Sequence, residues 1–64
     1  MNLSREKVDL MLARNVMTVK DLAEHYGVSR ARMNTILNSR KITTLCAGRL
    51  AKALNCDVTE ILED

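Results

Sequence analysis

The sequence predicts an all-α fold, five short helices around one core, and three observations carry that prediction. The 64 residues include no Pro, Trp or Phe, one Tyr and only two Gly, whereas a small β-sandwich or barrel needs turn residues and aromatics at short intervals. Ala, Leu, Met, Arg, Lys and Glu, all good helix formers, dominate instead. Apolar residues also recur at i, i+3 and i+4 in successive segments, and each segment follows a residue suited to capping a helix. The length has room for one domain, residues 1–64. A chain this short buries only about 60% of its unfolded surface, so a homodimer is the expected state.

Ser4 is a good N-cap for a first helix running to about Asn15, with Val8, Met11 and Leu12 on one face. Asn15 tolerates the left-handed conformation that closes a helix. Thr18 opens the second helix, and Asp21 completes a pattern like a capping box. Leu22, Ala23 and Tyr26 form its inner face, and Gly27 turns the chain. Ser29 caps a third helix whose Met33, Ile36 and Leu37 point inward. Residues 38–42 read as a loop, and Thr43 or Thr44 caps a fourth helix with Ala47, Leu50, Ala51 and Leu54 on its buried face. Gly48 within that helix costs about 1 kcal/mol against Ala, which points to a close helix contact. Asp57 caps a short fifth helix containing Val58, Ile61 and Leu62, a segment that serves either as a dimer surface or as a lid on the core.

Several functional classes fall away. No apolar run approaches the ~18 residues of a membrane span, and no leader resembles a signal peptide. The expected location is therefore cytoplasmic, with no membrane partner. Cys46 and Cys56 form neither a CxxC pair nor a disulfide framework and read as reduced, partly buried thiols. A chain with one His is a poor candidate for a zinc site or a catalytic constellation. The reading is a non-enzyme with no metal, no cofactor and no small-molecule ligand.

The formal net charge is only +2, but its distribution is informative. Residues 1–24 balance four basic residues (Arg5, Lys7, Arg14, Lys20) against four acidic ones (Glu6, Asp9, Asp21, Glu24). From His25 to Cys56 there is no Asp or Glu, while Arg30, Arg32, Arg40, Lys41, Arg49 and Lys52 all fall there. The sign then reverses at Asp57, Glu60, Glu63 and Asp64. Ordinary exposed helices interleave Glu with Lys, so an acid-free basic segment marks a surface for a polyanion.

Overlapping its start lies a helix, a tight turn and a second helix, VKDLAEHYGVSRARMNTILN, over 19–38. A helix-turn-helix needs a small residue where its helices cross, supplied by Ala23, and a glycine in the turn, supplied by Gly27. It also needs apolar residues facing the core: Leu22, Tyr26, Val28, Met33 and Ile36 meet that need, and Ser29 caps the second helix.

The stretch TVKDLAEHYGVS from Thr18 resembles the "T-Q-x-E-L-A-x-x-x-G-V-S" signature of Cro/cI-type helix-turn-helix regulators, the XRE family. CAGRLAKALNCDVTEIL, from Cys46, is similar to that family's fourth and fifth helices. The likeness runs from about Val8 to Leu62 and implies a lambda-repressor-like domain with its motif at about 18–38. Val19 stands where the family often has a Gln that contacts a phosphate or backs the recognition helix, which weakens one DNA contact. Leu37 replaces a frequent Glu, Ser39 a frequent Gly and Ile42 a frequent Pro.

The resemblance implies a sequence-specific regulator of transcription, a small Cro-like repressor whose third helix enters the major groove of double-stranded DNA. Helix geometry leaves Arg30, Ala31, Asn34 and Thr35 outward on that helix. Arg30, Ala31 and Thr35 stand where the family's base-reading residues sit. Arg30 suits bidentate pairing with guanine, Ala31 or the Thr35 methyl suits a thymine methyl, and Asn34 suits an adenine or a phosphate. Arg32, Arg40 and Lys41 are the expected phosphate contacts, with Thr18, Asn38 and Thr43 adding hydrogen bonds and Val19 at the family's contact position. Two half-sites about one DNA turn apart, a palindromic operator, follow from a homodimer. The competing reading is a protein-interaction module, or an antitoxin-type partner protein, that kept the fold without operator recognition.

Overall fold

The computed structural model describes residues 1–63 and is helical throughout its core. Four α-helices follow in order: α1 (Arg5–Arg14), α2 (Val19–Tyr26), α3 (Arg30–Asn38) and α4 (Thr44–Ala53). Each starts where the sequence places a cap. The side chains of Ser4, Thr18, Ser29 and Thr43 accept from the backbone N–H of Lys7, Asp21, Arg32 and Cys46. At α2 the Asp21 carboxylate also accepts from the Thr18 N–H, at 2.9 Å, which completes the capping box.

The fifth helix is not an α-helix. Val58–Glu60 forms a single 3₁₀ turn, closed by a capping box between Asp57 and Glu60. The helix goes no further because Ile61 is drawn into the core and Leu62 pairs with Leu3 in an antiparallel bridge. A second bridge joins Asn2 to Lys41. The first residues thus lie between the α3–α4 loop and the C-terminal segment. Leu3 N–H donates to Arg40 O at 2.7 Å and Ile42 N–H to Met1 O at 2.9 Å on one side. Ser4 N–H donates to Ile61 O at 2.8 Å and Glu63 N–H to Asn2 O at 2.9 Å on the other.

Val8, Leu22, Met33, Leu50, Leu54 and Ile61 are fully buried, and no charged or polar residue joins them among the described residues. Ala23 is buried where α2 meets α3, and its small side chain lets the two helices approach. The inward faces match expectation on α4, where Ala47, Leu50, Ala51 and Leu54 are all buried. On α3, Met33 and Leu37 are buried while Ile36 is half-buried. Ile61 lies in the core and Leu62 is half-buried, so the C-terminal segment closes the core.

Two backbone expectations change. Gly48 is exposed, and a Cβ there would meet nothing within 4 Å, so no close helix contact accounts for it. The left-handed residue after α1 is Val16, at φ 50°, and not Asn15, at φ −89°. Asn15 has another task, because its amide donates to Met11 O at 2.8 Å and to Leu54 O at 2.7 Å. It ties the end of α1 to the end of α4, an arrangement that requires a right-handed backbone at Asn15 and displaces the turn to its neighbour.

Candidate nucleic-acid interface

The turn between α2 and α3 is set by Gly27, which takes φ 96° and ψ 31°, a conformation only glycine enters at no cost. Its N–H and that of Val28 both donate to Ala23 O, at 2.8 and 3.0 Å, and satisfy the last turn of α2. Ser29 then caps α3 directly. Because Met33 and Leu37 are anchored in the core, the opposite face of α3 is open: Arg30, Ala31 and Thr35 are exposed, and Asn34 sits at its margin, partly buried.

These side chains are differently committed. Arg30 has no hydrogen-bond or ion-pair partner among the described residues, which leaves the whole guanidinium fork for a ligand. The Thr35 hydroxyl donates to Ala31 O at 3.2 Å, so it faces a ligand with its methyl and its remaining lone pairs. Thr18 and Thr43 are exposed and use their oxygens to accept helix N–H groups at 3.1 Å. Each hydroxyl proton therefore stays available to donate to an anion at a helix start.

Beside the second half of α3 an open groove is lined by Arg32, Thr35, Ser39, Lys41 and Thr43, with Ile36, Ile42 and Cys46 beneath. The Ser39 hydroxyl donates to Lys41 O at 3.0 Å and holds the loop's turn. Arg32 and Lys41 project cations into this groove, and neither has an ion-pair partner among the described residues. Asn38 is exposed at the end of α3. Val19 is half-buried against the core and offers the surface no polar group.

Arg40 departs from this cluster. Neighbouring residues of an extended segment point to opposite sides: Lys41 lines the groove, while Arg40 pairs with Glu63, Nη2 to Oε1 at 2.8 Å. The carboxylate holds the guanidinium proton more firmly than usual. Two further ion pairs, Arg5 with Asp9 at 3.1 Å and Arg14 with Glu60 at 3.6 Å, lie outside the acid-free segment.

A second groove runs between α2 and α4, lined by His25, Tyr26, Arg49, Lys52 and Ala53. Arg49 stacks its guanidinium 4.2 Å from the Tyr26 ring centre and donates to Tyr26 O at 3.0 Å. It therefore covers the carbonyl end of α2, a role the sequence alone did not indicate. The Tyr26 hydroxyl donates to Cys46 Sγ at 3.4 Å, and burial together with that thiol keeps the phenol above its ordinary pKa. Both cysteines are free and half-buried.

A capped helix, a glycine turn and a second helix with an open, basic, acid-free face define a DNA-binding domain of the helix-turn-helix class. The chain belongs to the family described as Cro/C1-type HTH DNA-binding domain, whose pattern it matches over residues 7–64. It is 35% identical over 60 residues to an uncharacterized HTH-type transcriptional regulator of Bacillus subtilis (strain 168), YozG, covering 88% of this chain and 69% of that protein. No solved structure matches it. These likenesses establish a DNA-binding regulator. Among the described residues no helix is long and apolar enough to cross a membrane.

Proposed function

We propose that the protein is a small Cro-like repressor that reads a palindromic operator as a homodimer in the cytoplasm. Each copy inserts α3 into the major groove of one half-site. Arg30 pairs with a guanine, Ala31 and the Thr35 methyl pack on thymine methyls, and Asn34 meets an adenine or a neighbouring phosphate. Arg32, Lys41 and Thr43 hold one stretch of backbone through the groove beside α3, Asn38 adds a hydrogen bond at its end, and Thr18 holds another stretch from the start of α2. Val19 contributes packing behind the motif.

The observation that carries this reading is the division of labour on α3. Met33 and Leu37 are locked in the core, while Arg30, free of any partner among the described residues, stands at the helix start with Ala31 and Thr35 beside it. The test is selection of retained sequences from random duplex DNA at physiological salt. Enrichment of a palindrome with half-sites about ten base pairs apart is the expected result. Retention without any motif, or no retention, overturns operator recognition and favours an interaction module.

A further inference from the structure

Arg40 lies in the loop that supplies Lys41 and Thr43, yet its charge is already matched. Its guanidinium meets the Glu63 carboxylate at 2.8 Å, with the two side chains 79% and 36% exposed. The placement is built by the backbone. Leu3 N–H to Arg40 O and Glu63 N–H to Asn2 O secure the loop and the C-terminal segment to opposite sides of the first residues. The carboxylate is thereby set against an arginine of the basic segment, at the rim of the phosphate-binding loop. Carboxylate and phosphate present the same paired anionic oxygens to a guanidinium.

Resting on the DNA-binding reading above, we infer that Glu63 occupies the place of a DNA phosphate at Arg40 and is exchanged for one when duplex binds. Glu63 is thus a positioning residue that lowers affinity for the DNA backbone. The free protein keeps Arg40 extended along the loop by an internal anion, and the approaching backbone displaces it. An exposed pair of this kind is weak and yields to a polyanion. A phosphate neutralised by an arginine releases close to one counterion from the DNA whether or not that arginine was paired beforehand, so the exchange is read in affinity and the Arg40 contact in the salt slope.

The experiment is fluorescence anisotropy of a labelled mixed-sequence duplex with the full chain, titrated across about 50 to 200 mM salt. Glu63→Gln should bind about three- to fivefold more tightly at the lowest salt, with a salt slope close to wild type. Glu63→Asp, which keeps the charge, should stay close to wild type. Arg40→Gln, like Lys41→Gln, should lower the slope by about 0.9. Arg40→Gln should weaken binding more in the Glu63→Gln background than in wild type. Thermal melts check that each variant folds, and the Arg40→Gln slope tests the phosphate contact even where Glu63→Gln does not fold. Unchanged or weaker binding by folded Glu63→Gln overturns the exchange and leaves the DNA reading standing, as does an Arg40→Gln slope equal to wild type. No salt-dependent binding by the wild type overturns both.

Discussion

Three helices end on a left-handed residue, and only two of them use a residue that suits it. α2 ends on Gly27 at φ 96° and α4 on Asn55 at φ 53°, but α1 ends on Val16 at φ 50°. A left-handed backbone costs an L-residue about 1–2 kcal/mol, with only Gly, Asn and Asp entering it routinely, and a β-branched side chain fares worst. Val16 recovers nothing by packing, because it is 92% exposed. Val16→Asn removes most of that penalty and loses no buried contact, which predicts a gain of about 1 kcal/mol. Val16→Gly relieves the same strain but returns about 0.4–1 kcal/mol through the freer unfolded chain, so it should gain less than Val16→Asn. For a domain of this size about 1 kcal/mol corresponds to a rise in Tm of about 4–8 °C. The assay is thermal and urea unfolding followed by far-UV circular dichroism. A Val16→Asn protein no more stable than wild type would refute the argument from backbone strain.

Further outcomes follow from the same geometry. Leu22→Ala empties a fully buried site between the helices and should cost about 2–5 kcal/mol, enough to abolish a cooperative melt in a domain this small. Asn15→Ala strands the Leu54 carbonyl and leaves Met11 O only the backbone N–H of residue 15, and should lower stability by about 1–3 kcal/mol in urea titrations. Asp21 and Asp57 have pKa values held below the ordinary range, chiefly by the backbone N–H groups of Thr18 and Thr59. Their contribution is fully present above about pH 4 and is lost as pH falls through their lower folded values. Asp21→Ala should therefore lower Tm at neutral and alkaline pH and flatten its acid limb, where wild type has already lost this contribution.

Most of the fold was legible because it rests on local signals. Ser4, Thr18, Ser29 and Thr43 each cap the helix they precede, and the apolar spacing of α4 predicts its whole buried face. What the sequence concealed depends on segments far apart in the chain. The clasp of the first residues between the α3–α4 loop and the C-terminal segment is formed by backbone groups, which carry no sequence signature. One trace of it was readable: Leu3 and Val8 flank the Ser4 cap as a hydrophobic staple, and both are buried. The fifth helix failed for a related reason, since pairing of Leu62 with Leu3 competes with any further helical turn.

The candidate site shows the same division. The outward face of α3 follows from helical period once Met33 and Leu37 are assigned to the core, and Arg30, Ala31 and Thr35 are exposed as that period requires. The loop was less readable, because charge alone made Arg40 and Lys41 equivalent. Their opposite orientations arise from extended backbone, and the partner of Arg40 lies 23 positions away at Glu63. Arg49 carries no local signal of its role either, because its stacking on Tyr26 over the end of α2 joins residues 23 positions apart.

The central claim is that α3 reads bases, and the most direct test is the affinity of Arg30→Ala for the selected operator and its single-base variants. Discrimination should disappear at one symmetric base position, by about 1–3 kcal/mol, while preferences elsewhere persist. Uniform weakening across all variants, or no change at any position, would contradict it.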